Sequence, residues 1–462
     1  MIEGLKPYPE YKESGLPWLS RIPSGWQTVR NGSLFSQRNE TNFPQLPILE
    51  VSLRTGVRVR NFETSNRKQV MSDFSKYKRA ASGDLAYNMM RMWQGAVGVA
   101  PVDGLVSPAY VVARPFPKTN AHYYRTQFRM DLYLGEIDGV SRGIVKDRNR
   151  LYWDQFKQMR SVAPPPDEQT AIVRFLDHAN RKIDGFIRAK RKLIGLLNEQ
   201  KQAIIHRAVT RGLHPDVPLK PSGIPWLGDI PMHWKVLRAK YLFSEVDERS
   251  KEGKEMHLAM SQRLGLVPSS MVGSAMRSES YAGAKLCQEG DLVLNRLKAH
   301  LGVFALAKQG GVISPDYSVF RKRAAISMEY YESVLRSSAC RRELRIRAKG
   351  LVEGFWRLYT DDFYDIRLPV PPLDEQQEIM AVMTLETAAL TTAIARTERE
   401  IALMQEYRTR LTADLVTGKL DVREAAAKLP DSQTEVPVSD EIDLYLEPDD
   451  GGELDSDPVI ED

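Results

Sequence analysis

Polar side chains able to read the edge of a base occur twice in this chain, at equivalent places after the same three residues. Gly83-Asp84-Leu85 is followed by Asn88, Arg91, Trp93 and Gln94, and Gly290-Asp291-Leu292 by Asn295, Arg296, Lys298 and His300. Amide and guanidinium groups match the major-groove edges of adenine and guanine, and any donor suits a phosphate. The two sets differ in chemistry, as two specificities require. A second zone holds Lys146 and Arg150 in one half of the chain and Lys349 and Arg357 in the other. For each residue alone, a solvated surface charge explains its presence equally well.

Motifs that would carry catalysis are not found. There is no Asn-Pro-Pro-Tyr or Asp-Pro-Pro-Tyr to hold a flipped adenine, no glycine-rich dinucleotide fingerprint, no P-loop and no His-Glu-x-x-His. The histidines at 122, 178, 206, 214, 233, 257 and 300 lack metal-ligand spacing. Pro315-Asp316 is similar to the start of a nuclease motif, but its counterpart is Pro108-Ala109, so Asp316 reads as a turn residue. The expectation is a non-catalytic chain that binds no metal and no cofactor. The alternative, a stand-alone site-specific nuclease or methyltransferase with a cryptic active site, lacks any shared acidic or nucleophilic cluster.

Composition bounds the partners. The chain of 462 residues is 42% hydrophobic and 27% charged, an ordinary range for a soluble protein of two or three domains. No run of 18 apolar residues and no apolar stretch in Met1 to Ser14 is present, so neither a membrane span nor a signal peptide is expected. Two cysteines, Cys287 and Cys340, make no disulfide framework, and a reducing cytoplasm fits them. The net charge of +5 is unevenly spread, because 13 acids and no Lys or Arg lie between Asp431 and Asp462. Residues 1–429 therefore carry +18, which suits a polyanionic partner. The acidic segment, 421–462, has the composition of a disordered tail.

The elements that must position these residues come from an internal duplication with a period of 207–208 residues. Ser14-Gly15-Leu16-Pro17-Trp18-Leu19, with Ile22-Pro23, Trp26, Arg30 and Leu34-Phe35-Ser36, returns as Ser222-Gly223-Ile224-Pro225-Trp226-Leu227, with Ile230-Pro231, Trp234, Arg238 and Leu242-Phe243-Ser244; 12 of the 23 positions from Ser14 to Ser36 are identical. Gly104-Leu105-Val106-Ser107-Pro108 answers Gly311-Val312-Ile313-Ser314-Pro315, and Arg150-Leu151-Tyr152 answers Arg357-Leu358-Tyr359. Pro164-Pro165-Pro166-Asp167-Glu168-Gln169 answers Pro371-Pro372-Leu373-Asp374-Glu375-Gln376. Between the blocks, 50–80 does not resemble 256–287. A common framework with different inserts suits one scaffold presenting two surfaces. The repeated tryptophans, Trp18, Trp26, Trp226 and Trp234, are assigned to the shared core, and Trp93 is expected to be partly buried.

Each copy ends in a long helix. Asp167 and Asp374 are N-caps after proline runs, acids follow in the first turn, and Gly212 and Gly418 mark the far ends. The first helix shows a 4-3-4-3 stripe through Ile172, Leu176, Ala179, Ile183, Phe186, Lys190, Leu193, Leu197, Gln200 and Ile204. The second shows a poorer one through Ile379, Met383, Glu386, Leu390, Ala393, Thr397, Glu400, Met404, Tyr407 and Leu411, flanked by Ile394 and Ile401. Packing of each helix on its own domain and pairing of the two are both possible; antiparallel coiled-coil pairing is the expectation adopted. The globular parts mix short strands and helices, an α+β class. The divisions are 1–166, 167–213, 214–373, 374–420 and the tail.

Ser-Gly-x-Pro-Trp-Leu…Ile-Pro-x-x-Trp opening each domain, Pro-Pro-x-Asp-Glu-Gln starting each helix, and the helix end Glu199 to Leu213 resemble the specificity subunit of type I restriction–modification enzymes. The resemblance covers about residues 10–420 and both copies. It implies two target-recognition domains that read the halves of a bipartite double-stranded DNA sequence. It also implies helices that fix the spacer and dock two modification subunits. Those partners would bind S-adenosylmethionine and methylate adenine, and a restriction/motor subunit would cleave. The weaker second stripe and the acidic tail depart from the family pattern.

Overall fold

The computed structural model describes residues 5–53, 55–60, 74–141, 149–261, 264–272, 281–350 and 356–430. The chain divides into two compact units, Met1–Ile187 with Ala402–Asp462, and Arg188–Ile401. The boundary cuts both long helices, Pro166–Arg211 and Leu373–Val416, so each unit holds one globular domain, the start of the helix that follows it and the end of the other helix.

The two units repeat one topology. In the first, an antiparallel four-stranded sheet has the order Phe35–Arg38, Tyr110–Pro115, Leu85–Asn88, Val97–Val99. In the second the order is Phe243–Val246, Tyr317–Lys322, Leu292–Asn295, Phe304–Leu306. The strand Gln27–Arg30 pairs with Arg160–Ala163, and Lys235–Arg238 with Arg367–Val370, so each domain is closed by strands from its beginning and end. The divergent stretches keep the same pairing: Leu49–Ser52 with Gly56–Val59, and Leu258–Ser261 with Gly265–Pro268. Backbone pairing survives here without sequence likeness because only the inward residues are constrained. The repeated glycine Gly104/Gly311 has a steric cause. A Cβ on Gly104 would lie 2.5 Å from Leu49 Cγ, and one on Gly311 would lie 2.4 Å from the Met256 carbonyl oxygen.

The repeated motifs hold helix to domain. Trp26 is fully buried, and its indole donates to Glu168 at 2.6 Å; Trp234 donates to Glu375 at 3.0 Å. Gln169 accepts from the Asn120 amide and donates to the Pro164 carbonyl, both at 2.9 Å. Gln376 does the same with Ser327 and Pro371, at 2.9 Å. The ends of the helices are tied crosswise: Tyr123 donates to the Val416 carbonyl at 3.0 Å, and Tyr330 to the Val209 carbonyl at 3.1 Å. Each core accordingly includes the last turn of the helix from the other copy, Leu411, Leu415 and Val416 in one and Ala208 and Val209 in the other. The shared tryptophans divide as Trp26 and Trp234 fully buried, Trp18 and Trp226 at the core edge.

The helices pair antiparallel within each unit. Asp184 meets Arg408 in the first. In the second, Lys190 meets Glu400 at 2.7 Å, Lys201 meets Thr391 at 2.9 Å and Arg207 meets Glu386 at 4.0 Å. The seam is not quite the one the sequence suggests. Ile187 and Ile194 turn inward, while Phe186 and Leu193 are exposed. In the second helix Thr387, Ile394 and Ile401 turn inward, while Glu386 and Glu400 form the cross-helix pairs. Each inward row takes consecutive steps of four, Ala179–Ile183–Ile187 and Ile379–Met383–Thr387, which follows the period of a straight helix more closely than the alternating four-three stripe does. Buried Thr387 and Thr397 are satisfied by donating to the Met383 and Ala393 carbonyls at 2.8 Å.

By length and composition, Leu373–Val416 is also apolar enough to cross a membrane. The segment expected as tail from 421 is folded as far as Pro430: Asp421 bridges Lys6, and Arg423–Ala427 is a short helix whose Ala425 and Ala426 enter the first core beside Val422. These apolar residues distinguish 421–430 from the acidic stretch after it. Residues 431–462 lie outside the described residues.

Candidate nucleic-acid interface

The Gly-Asp-Leu motif is a support for the turn that follows the strand. Asp84 accepts from the Ala81 amide at 2.9 Å and from Arg38 Nε at 2.6 Å. Asp291 accepts from the Gln288 amide and Arg321 Nε, each at 2.8 Å. The strands Leu85–Asn88 and Leu292–Asn295 then run out into short helical turns, Met92–Gln94 and Arg296–Leu301, the second kinked at Lys298.

Asn88 and Asn295 shape these turns from within. Asn88 Oδ1 accepts from the Met90 amide at 2.9 Å, and Asn295 Oδ1 from the Leu297 and Lys298 amides at 3.1 and 3.2 Å. Asn295 is buried, so its amide positions the turn and does not face solvent. Both asparagines are candidate base readers by sequence; in the structure their side-chain oxygens are engaged by local amides, as Asx side chains commonly are. Arg296 is half committed, donating to the Asp316 and Pro315 carbonyls at 3.1 Å. Gln94 and Lys298 are exposed, and Arg91 is partly exposed. Trp93 is half-buried and donates to the Met90 carbonyl at 2.9 Å.

The two zones recognised in the sequence meet in each unit. The Leu151 amide donates to the Met89 carbonyl at 2.9 Å, which sets exposed Arg150 beside the first turn. The Leu358 amide donates to the Arg296 carbonyl at 3.1 Å, which sets Arg357 beside the second. Arg357 pairs with Asp316 at 3.5 Å and Lys349 with Asp362 at 2.7 Å, so these cations are partly neutralised. Lys146 and the side chain of His300 lie outside the described residues.

A further arginine lies over each turn. A Cβ on Gly302, which ends the second turn, would lie 2.5 Å from Arg341 Cδ, and Arg129 packs near Gly95 at the end of the first. Burial, with Arg336 and Arg125 respectively beside them, lowers the pKa of both guanidiniums. A desolvated cation of this kind gains from an approaching anion.

The neighbouring helices set the two surfaces apart. Asp131–Val140 carries three acids and no base, whereas Ser338–Arg347 carries Arg341, Arg342, Arg345 and Arg347 against one acid. Sequence reading passed over these arginines, although the run Arg341-Arg342-Glu343-Leu344-Arg345 was the available signal. In the run His122-Tyr123-Tyr124-Arg125 both tyrosines are buried, while His122 is exposed and Arg125 partly so. Among the described residues no group of three or more His, Cys, Asp or Glu side chains is placed to hold a metal. Both cysteines are buried, and burial pushes the Cys287 thiol up to about 11.

A chain from a structure of the type I R-M system, solved to describe complex assembly and conformational transition, matches this one with a TM-score of 0.60. It is 13% identical, and the match covers 86% of this chain and 99% of that one. This chain has that chain's fold. The HsdS subunit from Thermoanaerobacter tengcongensis is 16% identical over 86% of this chain and 98% of its own, with a TM-score of 0.43. The type I restriction–modification S subunit from M. genitalium is 12% identical over 85% and 96%, with a TM-score of 0.33. No family model matches the chain.

Proposed function

We propose that this chain is the DNA-specificity subunit of a type I restriction–modification complex, an address without chemistry of its own. One observation carries the proposal: a framework that repeats its strand order and its helix–domain bonds presents two turns of different polar chemistry, flanked by an acidic helix in one unit and an arginine-rich helix in the other. The fold shared with a type I R-M chain supports it. In this reading domains 1–166 and 214–373 each recognise one half of a bipartite double-stranded site. The helices 167–213 and 374–420 set the spacer and dock modification subunits, two by the pseudo-symmetry of the repeat. S-adenosylmethionine and the restriction/motor activity belong to those partners, and the complex works in the cytoplasm.

The test is binding of the purified full chain to duplex DNA across a salt series. Affinity falling steeply with salt is expected, because phosphate contacts release counterions. Salt-independent binding or none, or cleavage or methylation by the chain alone, refutes the proposal.

A further inference from the structure

A cleft of about 480 Å³ opens in the second unit, between the last turns of the first long helix, the loop around Trp226 and the helix Ser338–Arg347. His206 and Arg211 line it from the long helix and Arg342 from the short one. Neither guanidinium has an ion-pair partner among the described residues, and two ring nitrogens in the wall, His206 Nδ1 and Trp226 Nε1, are buried without a hydrogen-bond partner. Burial and the charges of Arg342 and Arg211 lower the His206 pKa, which places the imidazole within electrostatic reach of both arginines. Two acids also line the cleft; Glu343 is engaged by Arg347 at 2.7 Å, which leaves Asp229.

The other unit is an internal control. Counting 207 residues along the repeat, as the Tyr123–Val416 and Tyr330–Val209 bonds align it, Ala413 and Gly135 stand where the second unit has His206 and Arg342, and Thr417 precedes the helix-ending Gly418 where Arg211 precedes Gly212. Trp18 stands where Trp226 does, packed edge-on against Tyr133 at 5.3 Å, and Tyr133 is answered by the much smaller Cys340. A requirement of the scaffold would recur in both copies. Here the cations, the unpartnered nitrogens and the smaller side chain occur together, in one.

We propose that this cleft binds a phosphate group, held by the guanidiniums of Arg211 and Arg342 and the ring of His206. Guanidinium forks match phosphate oxygens in pairs, and the two unpartnered nitrogens behind the cleft surface gain an acceptor if their rings turn toward a bound anion. The group is carried either by a nucleic-acid backbone or by a free nucleotide or inorganic phosphate.

Thermal unfolding of the full chain in inorganic phosphate or chloride at equal ionic strength tests the assignment. Phosphate raises the Tm of the wild type, with saturation, and chloride does not. Arg211→Gln/Arg342→Gln keeps its Tm in chloride and loses the phosphate response; Arg342→Gln alone shows a partial loss and serves if the double variant unfolds. Duplex binding across a salt series separates the sources. A salt slope reduced by about 1 to 2 in the double variant identifies a backbone phosphate, and an unchanged slope with a lost Tm response identifies a free ligand. Equal phosphate responses in wild type and variants, or none in any, together with an unchanged slope, overturn the assignment. The phosphate arm needs no DNA, so its outcome is independent of the proposed specificity role.

Discussion

Replacing Glu168 by alanine should loosen the first unit far more than the second, and the amount follows from its partners. Glu168 Oε2 accepts from the indole of Trp26 at 2.6 Å and from the Tyr8 hydroxyl at 3.0 Å, and Arg423 lies 3.4 Å from Oε1. Trp26 is wholly buried and Tyr8 nearly so, so both donors lose their acceptor where water cannot replace it. A buried donor left unpaired costs about 1–3 kcal/mol, and an acid in a helix's first turn contributes roughly 0.3–1 kcal/mol. The variant should lose about 3–5 kcal/mol. Tyr8→Phe removes one donor while leaving the carboxylate with Trp26, and should cost about 1 kcal/mol. Glu375 is the control in the other copy. It holds Trp234 at 3.0 Å, but its second partner, His233 at 2.8 Å, is half exposed and can turn to water. Glu375→Ala should therefore cost about 2 kcal/mol less. Native-state hydrogen exchange is the suitable assay, because it reads each unit's opening free energy separately and a chain of two units need not unfold in one step. A loss below about 1 kcal/mol for Glu168→Ala, or one no larger than for Glu375→Ala, would refute this account of the helix–domain joint.

Three other outcomes are expected. Gly418→Ala should destabilise the first unit by about 2–4 kcal/mol in the same exchange assay, since its φ is +76° and a Cβ would lie 2.4 Å from Pro23 Cδ; Gly212→Ala, whose nearest neighbour is the Glu375 carboxylate at 3.2 Å, should cost less. Lys298→Ala should weaken DNA binding evenly across sequences and reduce the salt slope by about 1, whereas Asn295→Ala should lower the stability of the turn by about 1 kcal/mol; the reverse pattern would restore Asn295 as a reader. A seven-residue insertion in each long helix adds about 10 Å of helix and should lengthen the recognised spacer by about three base pairs with both half-sites unchanged; altered half-sites would contradict the spacer role.

The fold was legible because the duplication repeats the residues that make it. Trp26, Glu168 and Gln169, with their counterparts, are the joints between domain and helix, and their recurrence in the same order announced the repeated unit before any strand was assigned. The seam was harder to read. A heptad ruler laid on a straight helix drifts, so Phe186 and Glu386 fell on the stripe while Ile187 and Thr387 took the buried places. The candidate interface was legible in location only. Residue type suggested that Asn88 and Asn295 read bases, but type does not distinguish an amide facing outward from one capping its own turn. The arginines of Ser338–Arg347 and the cleft beside them arise from residues far apart in sequence, His206, Trp226 and Arg342, which no local spacing joins.

The central claim is that two unlike domains on one framework each read half of a DNA site. Methylome sequencing tests it in cells that express this chain with its modification subunit, beside cells in which residues 214–373 are exchanged for the matching domain of a relative. The account predicts a bipartite methylated motif in the first and a motif altered in one half in the second. A continuous motif, no methylation that depends on this chain, or a pattern unchanged by the exchange would contradict it.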